Sequence, residues 1–216
     1  MKRTTKIQLS LAAGLVVAVL ASAFVISRAQ PESTVDAETV TVVAQNSHRL
    51  DTAPDGSVVF TEFLDFECEV CLAVHPYVEE LREEYAGQVT FVTRYFPIPA
   101  HKNSMNAAVA VEAAAQQGQF EAMYQRMFDT QTQWGEQQDS KVDVFRGFAE
   151  DLGLDMTEYD SAIADPATEA RVQQDFDAGI ALGVTGTPTI FLDDQPLELT
   201  SPDSLRTQVA EAVSKK

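Results

Sequence analysis

The chain has 216 residues, a formal net charge of −18, 45% hydrophobic residues and two cysteines. That length holds one domain plus a targeting segment, and the apolar share is ordinary for a globular protein. The four basic residues among the first 30 positions face no acid, which leaves 11 basic and 33 acidic residues beyond them, a net of −22. A domain so acidic repels phosphate backbones and anionic headgroups, which argues against nucleic acid as a partner. Two cysteines also exclude a disulfide-stapled scaffold, because a bridge between positions three apart constrains little.

Positions 1–29 read as a signal anchor or signal peptide. Lys2, Arg3 and Lys6 form a basic flank, and Leu9 to Ile26 is almost wholly apolar. This run nearly spans a bilayer core, with the basic flank on the cytoplasmic side. Ala21-Ser22-Ala23 offers a cleavage site, but the apolar Phe24-Val25-Ile26 beyond it favours an uncleaved anchor. The expected location is therefore the cell membrane, single-pass, with the domain outside the cytoplasm, where disulfides persist. A cleaved segment would leave it secreted or periplasmic.

Positions 30–50 read as a linker and an edge strand, the strand placed over Glu38 to Ala44 on the run Val40-Thr41-Val42-Val43. Val58 to Leu64 is apolar enough for a buried central strand. Cys68-Glu69-Val70-Cys71 follows and opens an amphipathic helix to about Tyr85. A strand that delivers Cys-x-x-Cys onto a helix N-terminus is a redox device. The unpaired N–H groups there favour a thiolate, and the second cysteine is placed to resolve a mixed disulfide. Val89 to Phe96 is the next strand. From His101 to about Leu182 the pattern is helical, with breaks at Gly118, Gly153 and Asp165-Pro166. The stripe Phe120, Met123, Met127, Phe128 reads as core. Thr189 to Leu192 and Pro196 to Leu199 form a hairpin, and Ser201-Pro202 caps a last helix.

Cys68, just before the helix, is the expected nucleophile, and Cys71, one turn in, the buried partner. Cys68, Cys71 and His75 amount to three metal ligands, one short of a structural zinc set, so no metal site is expected and His75 is placed on the helix flank. The competing reading of the cysteines is a pair of structural thiols.

Cys68-Glu69-Val70-Cys71, Pro76 five residues on, and Gly186-Thr187-Pro188-Thr189 far downstream together resemble the DsbA-like thiol–disulfide oxidoreductase family. The resemblance runs from Asp51 to the C-terminus. It implies an α/β thioredoxin fold: a central mixed β-sheet flanked by helices, with an inserted all-helical subdomain. Positions 51–100 would be the first half, 101–182 the insertion and 183–216 the second half. It also implies a cis bond before Pro188, which exposes the backbone of Thr187 to an extended substrate, and a buried acid under the cysteines that moves protons. Glu62 is ranked above Asp65 for that acid. Glu69 and Val70, between the cysteines, would tune the potential.

The expected activity is disulfide introduction or exchange in exported proteins through Cys68 and Cys71, with no cofactor beyond that redox-active pair. The expected partners are unfolded or reduced exported proteins and a quinone-linked membrane protein that reoxidises the enzyme. No dimerisation domain fits before Asp51, so a monomer is expected and the V-shaped isomerases are disfavoured. The alternatives are a reductase or isomerase of the same fold, and a binding module, chaperone or metal carrier, without turnover. Thioredoxin-like copper chaperones usually space their cysteines one residue wider.

Overall fold

The computed structural model describes residues 40–216. The expectations for positions 1–39, targeting segment included, lie outside the described residues. Among the described residues no helix is long and apolar enough to cross a membrane.

Five strands form one mixed sheet: β1 (His48–Asp51), β2 (Val58–Leu64), β3 (Val89–Tyr95), β4 (Thr189–Leu192) and β5 (Gln195–Pro196). Their order across the sheet is β1-β3-β2-β4-β5. β2 and β3 run parallel, and the other neighbours pair antiparallel. The parallel pair needs a crossover, which α1 (Glu69–Glu84) supplies. β2 and β3 are buried on both faces, their polar residues Thr61, Glu62, Thr93 and Arg94 included.

Between β3 and β4 lie five helices: α2 (Ser104–Ala115), α3 (Phe120–Trp134), α4 (Val142–Asp151), α5 (Met156–Ala164) and α6 (Pro166–Ala181). They enclose a core that includes Met123, Tyr124, Met127, Trp134 and Phe145, with Phe66 and Cys71 at its edge. The expected stripe of α3 is inside this core. The Ala-rich face of α2 allows close packing, and α6 approaches the sheet so tightly that a Cβ on Gly179 would lie 2.7 Å from the Phe96 ring. The last helix, α7 (Pro202–Ser214), begins in a capping box on Ser201 and packs Leu205 and Val209 against the opposite side of the sheet. This is the expected thioredoxin fold with a helical insertion.

Two local expectations need correction. The run at Val40–Ala44 is not a strand; the edge strand is His48–Asp51, with a bulge between Arg49 and Asp51. The Thr41 and Val42 carbonyls accept from the buried Arg94 guanidinium instead of a neighbouring strand. The last strand stops at Pro196, not Leu199, because Leu197 is the final residue whose N–H reaches β4.

Candidate active site

Cys68 is the N-cap of α1, and Cys71 lies in its first turn. Both are free thiols. Cys68 is 6% exposed and Cys71 fully buried, the expected order. The turn before the helix is held from three sides. The Cys68 N–H donates to the Asp65 carbonyl at 3.1 Å. The Gln131 amide of α3 donates to the carbonyls of Phe66 (2.8 Å) and Cys68 (3.0 Å). The peptide Thr187–Pro188 is cis, and the Cys68 thiol donates to the Thr187 carbonyl at 3.4 Å. The Thr187 hydroxyl is buried without a nitrogen or oxygen partner, which leaves it free to donate to a Cys68 thiolate.

These contacts separate the two sulfurs. The bond from the Cys71 thiol outweighs the cost of burial and, with Thr187 and the helix N–H groups, lowers the Cys68 thiol to about 6. Burial, then the bond to Cys68 and the charge of Glu62, push Cys71 well above the ordinary thiol value. Cys68 is thus a thiolate at neutral pH, while Cys71 keeps its proton.

Glu62 and Asp65 are both buried, 4% and 1% exposed. Glu62 sits on β2 opposite Ile190 and Thr93. Burial, then the charges of Glu79 and Cys68, raise its carboxyl to about 8. Asp65 is bonded throughout: it accepts from the N–H groups of Glu67 (2.9 Å) and Ile98 (3.0 Å), and its Oδ2 lies 2.6 Å from His101 Nδ1. Asp65 thereby ties the cysteine turn to the loop after β3.

Glu69 and Val70 are exposed. The Glu69 carboxylate faces His101 and Glu136, the three ligating atoms lying within 4.8 Å of one another. His75 is buried rather than on the helix flank. Its Nδ1 lies 3.2 Å from the Tyr124 hydroxyl, and its ring stacks on Phe128. Sequence reasoning missed Gln131, Glu67, His101 and Asn103. Gln131 had a signal: it falls on the same helical face as Phe120, Tyr124, Met127 and Phe128, and a polar residue in an apolar stripe has a buried partner. His101 and Asn103, in an irregular loop, had none.

A family profile described as thioredoxin matches residues 51–211. The chain belongs to the thioredoxin family. Its fold is similar to that of a thioredoxin-like oxidoreductase from Silicibacter pomeroyi, with TM-score 0.68 and 24% identity, covering 82% of this chain and 97% of that one. It is similar also to alpha-DsbA1 of Wolbachia pipientis (TM-score 0.69, 18% identity, 83% and 96% covered). Oxidised BdbD of Bacillus subtilis aligns with TM-score 0.65 and 17% identity over 75% and 91%. The fold is therefore DsbA-like. In sequence, the chain is 35% identical over 140 residues to a Na(+)/H(+) antiporter NhaA 3 of Salinispora tropica, covering 64% of this chain and 20% of the antiporter. The chain thus spans about a fifth of the length of the curated relatives it matches.

Proposed function

We propose that this protein is an extracytoplasmic thiol–disulfide oxidoreductase that accepts two electrons from dithiols of exported proteins. The observation that carries this reading is the asymmetry of the pair: Cys68 at a helix N-cap, 3.4 Å from the Thr187 carbonyl, with Cys71 fully buried one turn deeper.

In the oxidised enzyme a substrate thiolate attacks Cys68, forms a mixed disulfide and displaces the Cys71 thiolate. Cys71, whose environment disfavours the anion, takes a proton from the Glu62 carboxyl. The second substrate thiolate then attacks the substrate sulfur of the mixed disulfide and displaces the Cys68 thiolate. The substrate leaves oxidised and the enzyme stays reduced. The low Cys68 value makes its thiolate a good leaving group and favours the reduced form, which supports electron flow from substrate to enzyme. A membrane partner, quinone-linked in our reading, removes the two electrons. The Thr187 backbone is the element that aligns an extended substrate chain. The basic and apolar N-terminal segment supports export and a membrane anchor.

The curated relatives are antiporters, but the likeness covers a fifth of their length, so ion transport does not carry over. The test is refolding of a reduced, unfolded disulfide protein by the oxidised enzyme, beside insulin reduction. Oxidative refolding supports an oxidase. Insulin reduction without refolding would make it a reductase, and neither activity would leave a binding module.

A further inference from the structure

Above the cysteines, three segments distant in the chain bring one ligating side chain each to one point. Glu69 comes from the first turn of α1, His101 from the loop after β3, and Glu136 from the turn after α3. We propose that Glu69, His101 and Glu136 form a three-ligand site for a divalent cation of the zinc class, separate from the dithiol.

The donor atoms already lie within 4.8 Å of one another. A tetrahedral zinc with bonds of about 2.0–2.2 Å wants its nitrogen and oxygen ligands roughly 3.3–3.6 Å apart. Glu69 and Glu136 are exposed and rotatable, so closing a gap of at most about 1.2–1.5 Å needs only side-chain torsions. His101, by contrast, is held. Its Nδ1 lies 2.6 Å from Asp65 Oδ2, and the Asp65 side chain is fully buried and fixed by two backbone N–H groups. A carboxylate on Nδ1 sets the tautomer with the proton there and leaves the Nε2 lone pair for a metal, as second-shell carboxylates do for metal-bound histidines. This arrangement is independent of the two glutamates.

The backbone brings the segments together through one buried hub. The Glu67 carboxylate accepts from the Asn103 N–H at 2.5 Å. The Asn103 side chain donates to the carbonyls of Gln137 and Asp139, both at 3.1 Å, and accepts from the Lys141 N–H at 2.8 Å. The turn carrying Glu136 is thereby tied to the loop carrying His101 and to the cysteine turn. Glu136 itself holds a left-handed backbone, φ 59°, which a glutamate adopts only where its surroundings require it.

The chemistry selects the ion. One imidazole and two carboxylates suit zinc; magnesium and calcium want oxygen alone, and copper(I) wants sulfur. Three protein ligands leave a fourth position open for water. The acidic domain attracts cations in general, so the test rests on ligand identity rather than on binding alone.

Zinc is titrated calorimetrically into the full chain carrying Cys68→Ser and Cys71→Ser, which removes the thiolates and makes the result independent of the redox reading. The expected result is one equivalent bound, with magnesium unable to displace it. His101→Gln should weaken binding at least about 100-fold, and Glu69→Gln or Glu136→Gln about 10-fold each. Glu136 is exposed, so its variant keeps the test valid should His101→Gln unfold. Nitrogen-15 imidazole spectra should show metal on His101 Nε2 with the Nδ1 proton retained. No binding, or equal affinity in the Glu136→Gln form, would overturn the site and leave a histidine caged by acids.

Discussion

The mouth and the floor of the cysteine pair are built from similar residues and do opposite things. At the mouth, Cys68 shares its surroundings with Thr187, Asp65 and His101; at the floor, Cys71 shares its own with Glu62. Each region holds a buried carboxyl. At the mouth Asp65 accepts from two backbone N–H groups and lies against His101 Nδ1, and it works as a structural bracket. At the floor burial dominates, and Glu62 is held near neutral pH, where a carboxyl can exchange a proton. The two buried carboxyls differ in what surrounds them: Asp65 meets N–H donors, whereas burial dominates at Glu62.

The largest effect should come from exchanging the sulfurs' roles. Cys68→Ser should abolish thiol exchange, and Cys71→Ser should accumulate thiol-sensitive adducts with substrate on non-reducing gels. Alkylation of the reduced protein should follow one group with a midpoint near pH 6, while Cys71 stays unreactive. The sign follows from the lowered value. The Cys68 thiolate stabilises the reduced fold fully above the ordinary thiol value, and this contribution disappears as pH falls through about 6. Adducts on Cys71 in the Cys68→Ser form would invert mouth and floor.

Glu62→Gln tests the floor. Without the acid, protonation of Cys71 slows, and formation of the mixed disulfide should fall at least about 10-fold in stopped-flow assays. Stability should move the other way. A carboxyl raised from 4.5 to about 8 contributes stability below pH 4.5 that is lost as pH rises through about 8. Glutamine carries no such loss, so denaturant unfolding at pH 8 should show a gain on the order of 4 kcal/mol relative to its effect at pH 4. A flat difference between the two pH values would show that Glu62 is not held neutral.

The same substitution at the mouth should behave differently. Asp65→Asn turns an amide towards N–H donors and should cost about 2–3 kcal/mol in urea unfolding. An Asp65→Asn form as stable as the wild type would show that these bonds do not bracket the cysteine turn.

The smallest effect belongs to Glu69. Two like charges about 6 Å apart, at an effective dielectric of roughly 40–80, repel by about 0.7–1.4 kcal/mol, which bounds the effect of a carboxylate on the residue after Cys68. Glu69→Gln should therefore raise the reduction potential by at most about 15–30 mV in glutathione equilibration with a chelator present. His101 beside Glu69 places the outcome at the lower end. An unchanged potential would mean that Cys71, Thr187 and the helix N–H groups set the thiolate without Glu69.

Short-range pattern determined much of this protein. The apolar run before the cysteines, the helix after them and the helical stretch between the two sheet halves are all periodic signals, and periodicity is what burial on one face or two imposes on a sequence. Cys68 and Cys71 stood out at a strand–helix junction, whereas Pro188 and Glu62 were singled out by the resemblance to the DsbA-like family. The edge strand was misread because β-propensity says only that a segment would suit a sheet. In the fold His48–Asp51 pairs with β3, and the Thr41 and Val42 carbonyls go to the Arg94 guanidinium. Only the tertiary structure put Gln131 against a carbonyl 63 positions away, Asp65 against a histidine 36 positions on, and Glu136 beside Glu69. Such bonds join side chains across the packed interior, where no repeat along the chain records which residues meet.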